Sequence, residues 1–327
     1  MDTRHTPVDH AAMYLVRGAV LAPSLFNTQP WLFTGRGPEL DLYADPMRRL
    51  LLTDPNGREM VISCGAALFN VRVAMRHLGF LPVVRLFPDP WNHAHLARVA
   101  WGSFSRPSSD EELLYHSLRL RHTHRGPFQS SALPQPLIDE LRDHTRAEGA
   151  ELCVAETRQE RRRLAQLVRS AERVHRDHPG HVAELAAWTR ASHDDHPDGV
   201  PLGACPYHPD STALWDRDYL GVSRLMPTPR SVWPDRTGLI SVITTPNDSL
   251  QDWLRAGQAL QRLLLYAAAH RVSAAFHTQP LELPRLRAQV RETVLSGQFP
   301  QLILRLGHAA QGRPVVRRPA ASVLSAA

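Results

Sequence analysis

Residues 22–31, APSLFNTQPW, are the stretch that says most about the fold. An apolar-periodic segment at about 8–21 precedes them and strand-forming residues at 31–34 follow, so we predict a helix-to-strand corner. Two prolines fix φ, and the polar residues Asn27, Thr28 and Gln29 between them offer amide and hydroxyl groups. The loop is either a rigid corner that packs Trp31 into the core or a polar rim for a flat ligand. Its sequence alone leaves both interpretations open.

The composition is typical of a globular protein. Of the 327 residues, 43% are hydrophobic, which suffices for one large domain or two smaller units. No apolar stretch reaches the length of about 18 residues that spans a membrane, and the N-terminus lacks the apolar segment of a secretory signal. The cysteines, Cys64, Cys153 and Cys205, are three in number and form no C-x-x-C pair. We therefore expect a cytoplasmic protein without a disulfide framework or a zinc site.

All 38 basic residues are arginine, and with 32 acidic residues they give a net charge of +6. The longest basic run, at 161–163, continues a helical apolar stripe, so we interpret it as a solvated helix face and expect no nucleic-acid partner. The absence of lysine excludes a Walker-A lysine, a Schiff-base lysine and a pyridoxal-phosphate enzyme.

Two similar segments indicate an internal repeat. Residues 58–84 and 250–276 each have the pattern of a long helix followed by a strand, and aligning Gly65 on Gly257 also matches an alanine and a leucine that follow. Two amphipathic helices can match by chance. However, a helix and a strand precede the first copy, with a further strand near 39–43, and a helix (134–147) and a strand (151–155) precede the second.

This order predicts an α+β protein of two tandem repeats, 1–110 and 111–327, arranged as a pseudo-dimer about an approximate twofold axis. The second repeat carries an insertion at about 193–235, rich in Pro, Asp, Gly and His. Such a segment is a lid or a linker. Apolar residues within it favour an ordered lid: Trp215, Tyr219, Leu225 and Met226. The HDDH run at 193–196 could suggest a metal site, but adjacent residues point in different directions, so we expect no metal.

Two arginine clusters are candidate anion sites: RHTHR at 121–125, and Arg317-Arg318 in what we expect to be a C-terminal arm. Guanidinium groups match phosphate oxygens bidentately, although RHTHR alone could be an exposed basic turn. No glycine-rich phosphate loop occurs, so arginines would hold any phosphate. Because G-x-S-x-G and H-E-x-x-H motifs are absent too, we name no catalytic side chain and expect the chemistry to come from a cofactor.

Together these motifs resemble the nitroreductase-like flavoproteins and, within them, the Acg-like family of fused-repeat proteins. The resemblance covers about residues 10–324 and rests on APSLFNTQPW, RHTHRGPF, AGQALQRLLL, FPQLILRLGH and PVVRRP. It implies a nitroreductase-like fold and FMN as the cofactor. Ordinary nitroreductases are homodimers with two FMN molecules at the subunit interface, and each site uses both chains.

The resemblance also implies which residues bind the cofactor. The RHTHR element would grip the flavin phosphate and ribityl chain, the P-S-x-x-N-x-Q-P loop would border the isoalloxazine, and R-R-P would clamp the phosphate. The segment after the second long helix and its strand would give a backbone donor to flavin N5. The implied residues are Arg121, His122, Thr123, Arg125, Pro23, Ser24, Asn27, Gln29, His277, Thr278, Gln279, Arg317 and Arg318.

Each half lacks one of these elements, so we expect one FMN per chain and a monomer. The resemblance implies an oxidoreductase that passes hydride through flavin N5, with NAD(P)H and a small electron acceptor as partners. The alternative is a protein that binds or sequesters FMN under a closed lid without nicotinamide-dependent turnover. A helix-rich DNA-binding or stress-interaction protein is a third possibility.

Overall fold

The computed structural model describes residues 10–191, 196–205, 212–219, 221, 236–294, 297–309 and 315–326. The first part of the chain forms one layer of helices on a sheet. Its elements are α1 (His10–Ala19), β1 (Trp31–Arg36), β2 (Glu39–Ala44), α2 (Arg58–His77), β3 (Phe80–Leu86), β4 (His95–Phe104) and α3 (Ser109–Ser117).

The rest of the chain, apart from its last strand, forms a second layer of helices and strands. Its elements are α4 (Gln135–Arg146), β5 (Glu151–Val154), α5 (Arg158–Asp177), α6 (Pro179–Ala187), β6 (Thr189–Arg190), β7 (Val200–Pro201), β8 (Leu239–Thr245), α7 (Leu250–Ala269), β9 (Ser273–Phe276), α8 (Pro284–Val294), β10 (Phe299–Gly307) and β11 (Leu324–Ala326). The α+β prediction is confirmed, and the helices and strands expected around the two long helices are present.

The described strands form two larger sheets and one pair. The first sheet has the order β11-β1-β2-β4-β3, the second β5-β8-β10-β9, and β6 pairs with β7. Strand β11 runs parallel to β1, with Leu324 opposite Phe33. The C-terminal segment therefore crosses back to complete the sheet of the first half, so both halves of the chain depend on each other.

Helices α2 and α7 pack against each other between the two sheets. Each has 20 residues, and α2 is apolar over most of its circumference, as expected of a helix between two layers. A buried polar contact joins them, because Gln261 Nε2 donates to Asn70 Oδ1 at 2.7 Å. None of the described helices is both long and apolar enough to cross a membrane.

The insertion is described in part, at residues 196–205, 212–219 and 221. Leu225, Met226 and the first three residues of the HDDH run lie outside the described residues. Trp31 is fully buried in the core of the first layer, so the 22–31 loop does act as a rigid corner.

Candidate functional site

A cavity lies beside the helices α2 and α7, and both halves of the chain line it. It holds about 750 Å³ of empty space, including its opening to solvent. The lining residues are Pro23, Ser24, Leu25, Phe26, Glu59, Ile62, Ser63, Thr123, His124, Arg125, Asp216, Arg217, Tyr219, Leu260, Phe276, Thr278 and Leu302. The structure thus brings together five of the predicted residues, Pro23, Ser24, Thr123, Arg125 and Thr278.

The 22–31 loop reaches the cavity in an unusual conformation. Phe26, Asn27 and Gln29 have φ of 50°, 56° and 50°, the left-handed region that costs a non-glycine residue about 1 kcal/mol or more. The Ser24 hydroxyl accepts a hydrogen bond from the Gln29 backbone at 2.9 Å and closes the loop. Phe26 lines the cavity, whereas Asn27 and Gln29 do not.

Asn27 instead joins three segments of the chain. Its Nδ2 donates to the carbonyl oxygens of Gly199 at 2.9 Å and Val316 at 3.1 Å. Its Oδ1 accepts from Arg317 Nη1 at 2.9 Å. The amide of Asn27 therefore holds the insertion and the C-terminal segment against the loop.

The side chain of Gln29 also holds the insertion and the C-terminal segment against the loop. Its Nε2 donates to the carbonyl oxygen of Pro197 at 2.7 Å, and its Oε1 accepts from the backbone N–H of Arg318 at 2.7 Å. Arg318 in turn donates to the Gln29 and Ser322 carbonyl oxygens. The side chain of Arg318 thus serves to hold the C-terminal segment in place.

Arg121, Arg125 and Arg317 form a group of neighbouring guanidinium side chains, which we call the arginine cluster. The buried atoms Arg121 Nε, Arg125 Nη1 and Arg317 Nε have no hydrogen-bond partner within the described part of the chain. Arg121 is 5% exposed, and its one side-chain hydrogen bond goes to the carbonyl oxygen of Leu21 at 3.3 Å. Arg125 lies 5.6 Å from the ring centroid of Tyr219.

The surroundings of Arg121 and Arg317 disfavour the charged forms of these two side chains. Burial, together with the charge of Arg317, lowers the pKa of Arg121 to about 9. Burial, together with the charge of Arg125, lowers the pKa of Arg317 to about 10. No described carboxylate raises the pKa of either group. Since a buried charge without a partner is costly, this cluster is suited to an anion with several oxygens.

The rest of the RHTHR element packs on the second sheet. Thr123 bridges to Ala274, and the His124 N–H donates to the Ala274 carbonyl oxygen at 2.8 Å. His122 does not line the cavity. Burial and the charges of Arg121 and Arg317 lower its pKa, so it is neutral at pH 7.

The segment 277–279 contributes Thr278 to the cavity, but His277 is directed elsewhere. Its backbone N–H donates to the Ile303 carbonyl oxygen at 2.9 Å, so strand pairing already uses this donor. Its Nδ1–H donates to the Trp215 carbonyl oxygen at 2.9 Å, and its Nε2 accepts from Arg305 Nε at 2.6 Å. Burial and the charge of Arg305 hold its pKa well below the usual value, in agreement with this neutral tautomer.

Gln279 is fully buried and its Nε2 donates to Glu172 at 3.4 Å. It lies outside the cavity wall. Eight of the predicted residues therefore lie outside the cavity wall: Asn27, Gln29, Arg121, His122, His277, Gln279, Arg317 and Arg318.

Two buried ion pairs attach the insertion to the second half. Arg305, fully buried, donates to Asp216 Oδ1 at 3.0 Å and to Thr212 Oγ1 at 2.9 Å, and Asp216 also accepts from the Gly126 backbone. Arg217 pairs with the buried Glu282 and lies 4.9 Å from the ring centroid of Phe26. These pairs could not be predicted from the sequence because partners 65 or more residues apart leave no local motif.

No group of three or more His, Cys, Asp or Glu side chains within the described part of the chain is arranged to hold a metal ion.

Comparison with known proteins gives relatives over most of the chain. The "Putative NAD(P)H nitroreductase Rv3131" of Mycobacterium tuberculosis is 30% identical over 306 residues, which cover 93% of this chain and 87% of that protein. The "Putative NAD(P)H nitroreductase acg" of the same organism is 28% identical over 293 residues, covering 89% and 87%. No family model matches the chain.

Among solved structures, the chain is similar to the nitroreductase of Bacteroides fragilis NCTC 9343, which was crystallised with bound FMN. The identity is 10% and the TM-score 0.38, over 63% of this chain and 92% of that one.

Proposed function

The chain belongs to the Acg-like family of nitroreductase-fold proteins, and on that premise we propose that it is an FMN-binding oxidoreductase. The observation that carries the proposal is the arginine cluster, in which each of three guanidinium groups has a buried nitrogen without a hydrogen-bond partner among the described residues. A phosphate monoester supplies three oxygens and up to two negative charges. It would satisfy these donors and remove the electrostatic cost of the cluster.

The residues of the cavity suit the rest of the cofactor. Arg125 belongs both to the arginine cluster and to the cavity wall, so a phosphate held by the cluster places the attached group in the cavity. The apolar side chains of Ile62, Leu260 and Leu302 offer flat contact to an aromatic ring system. When bound, FMN would supply hydride transfer, which no described side chain of the cavity can perform.

We propose one FMN per chain and a monomer that corresponds to a fused dimer. The 22–31 loop and the RHTHR element each occur once in the sequence, in different halves, and both reach one cavity. Partners of the proposed enzyme are a reduced nicotinamide, as the names of the relatives suggest, and a small electron acceptor.

The second candidate function is flavin binding without nicotinamide-dependent turnover. It is favoured by the position of Asp216, Arg217 and Tyr219, which belong to the insertion and line the cavity. Because buried ion pairs to Arg305 and Glu282 hold two of these residues, moving the insertion away from the cavity would require breaking them. Such an insertion acts as a lid that stays closed.

One experiment separates the two functions. The purified protein is loaded with FMN and titrated anaerobically with NADPH and, separately, NADH, while the flavin absorbance is recorded. Bleaching supports the oxidoreductase. If dithionite bleaches the bound flavin but neither NADPH nor NADH does, the second function is supported. Absence of bound flavin after loading would overturn both functions.

A further inference from the structure

Glu59 lies in the wall between two cavities. It is on the first turn of α2 and lines the cavity described above. It also lines a second cavity, with about 940 Å³ of empty space including its opening to solvent, on the side of α8. Asp54, Glu282 and Arg287 belong to the wall of this second cavity.

The position of Glu59 is fixed by its neighbours. Asp54 Oδ2 accepts from the Met60 backbone at 2.9 Å and holds the start of α2. Arg58 Nη1 donates to the carbonyl oxygen of Gln301 at 2.6 Å, and its Nη2 contacts Glu59 Oε1. The carboxyl group is thereby kept at the boundary of the two cavities.

The charges that face Glu59 come from three parts of the chain. Burial raises its pKa to about 7; Asp54 and Glu282 raise it as well, whereas Arg58 and Arg287 lower it. A carboxyl group with this pKa binds and releases a proton near neutral pH.

The other titratable groups of the first cavity are less suited to proton exchange. Burial lowers the pKa of His124, and Asp216 pairs with Arg305 at 3.0 Å. Burial raises the pKa of Tyr219, and, against the effect of burial, the charge of Glu282 raises the pKa of Arg217. Among the described residues of the wall, Glu59 is the group that can change charge and that also borders the second cavity.

We propose that Glu59 exchanges protons between the two cavities, taking one up through the second cavity when negative charge develops in the first. This proposal rests on the proposed function. A hydride from a reduced nicotinamide brings two electrons and one proton into the first cavity, and the nicotinamide leaves oxidised. The charge of the cavity falls by one, and the ionised Glu59 offsets the change by binding one proton from water in the second cavity.

The first measurement needs no flavin. The wild-type protein, labelled with ¹³C at glutamate carboxyl carbons, is titrated by NMR, and Glu59→Gln assigns the signal. We expect a midpoint near 7. A midpoint near the ordinary value of about 4.3 overturns the proposal. Glu59→Asp replaces Glu59→Gln for the assignment if the latter does not fold.

The second measurement uses the FMN-loaded protein. Proton uptake on photoreduction at pH 8 is followed with a pH indicator in the wild type, in Glu59→Gln and in Ser63→Ala, a control without a titratable group in the same wall. By linkage we expect the wild type and Ser63→Ala to take up about half to one proton per chain more than Glu59→Gln. Equal uptake in all three overturns proton exchange while the proposed function stands. Failure of the wild type to bind FMN overturns the proposed function and this proposal with it, so the two failures are distinguishable.

Discussion

Gly65 of α2 and Gly257 of α7 face each other where the two helices cross. A Cβ on Gly65 would lie 3.0 Å from the Gly257 Cα and 2.3 Å from the Leu254 carbonyl oxygen. A Cβ on Gly257 would lie 2.9 Å from the Gly65 Cα and 2.0 Å from the Ile62 carbonyl oxygen. Each glycine thus approaches the carbonyl three residues before the other, a reciprocal contact of the kind found across a twofold axis.

This contact predicts a large effect of a single methyl group. Gly65→Ala should lower the free energy of unfolding by about 1–3 kcal/mol, because the backbones must separate. The control is Gly18→Ala in α1. The added Cβ would lie 3.4 Å from Ala74 Cβ, and alanine favours the helix because its helix propensity is higher than that of glycine. Urea unfolding measures both variants. Equal stability of Gly65→Ala and Gly18→Ala would refute the close approach of the helices.

Asn27 should affect flavin binding through Arg317 rather than by direct contact. Asn27→Ala removes three hydrogen bonds of about 1 kcal/mol each that hold the insertion and the C-terminal segment, so we expect FMN affinity to fall about tenfold or more. Gln135→Ala, which removes a surface amide bonded within its own helix, is the control.

A double-mutant cycle identifies the route. If Asn27 acts by positioning Arg317, Asn27→Ala costs little further affinity in the Arg317→Ala background. Fully additive losses would instead indicate that Asn27 contacts the flavin directly, as the family resemblance implies.

His175 should make stability depend on pH. It is buried on α5, with its Nδ1 3.5 Å from Arg217 Nη1 and its Nε2 3.5 Å from Glu282. Burial and the charges of Arg217, His181 and His178 lower its pKa to about 2, well below the value of about 6.5 in the unfolded chain. Its contribution to stability is therefore complete above pH 6.5 and is lost as the pH falls, since only the unfolded chain gains a proton.

Between pH 6.5 and 5, this loss amounts to about 2 kcal/mol. Urea unfolding at pH 7.5 and 5.0 should show a smaller loss in His175→Gln than in the wild type. The exposed His116 serves as the control, because His116→Gln should keep the wild-type loss. The same pH dependence in all three proteins would disprove the assignment.

The sequence predicted the elements of the fold because their signals are local. The apolar periodicity predicts the long helices α2 and α7. The prolines on either side of Asn27 predict the corner that precedes β1. Gly65 and Gly257, which align the two copies of the repeat, are also the two residues that meet at the helix crossing. Such matches survive in a sequence because only glycine fits where backbones come this close.

The sequence could not predict which members of a motif face the cavity. Asn27 and Gln29 were expected beside the flavin, but the left-handed backbone of the loop directs them to the insertion and the C-terminal segment. The resemblance gave Arg317 and Arg318 the same role, whereas Arg317 bonds to the Asn27 amide and Arg318 bonds to the Gln29 and Ser322 carbonyl oxygens. No sequence pattern marked Glu59 as a functional residue, since a glutamate on the first turn of a helix is commonplace.

The most direct test of the proposed site is a titration of the flavin-free protein with FMN, followed by the quenching of flavin fluorescence. We predict one FMN per chain in the wild type. In Arg121→Ala/Arg317→Ala the affinity should fall at least about a hundredfold, because two charge-assisted contacts of about 1.5–3 kcal/mol each are lost. Arg318→Ala should stay within about tenfold of the wild type, since Arg318 bonds to the C-terminal segment and to Gln29. Two FMN molecules per chain, or wild-type affinity in the double variant, would contradict the proposal.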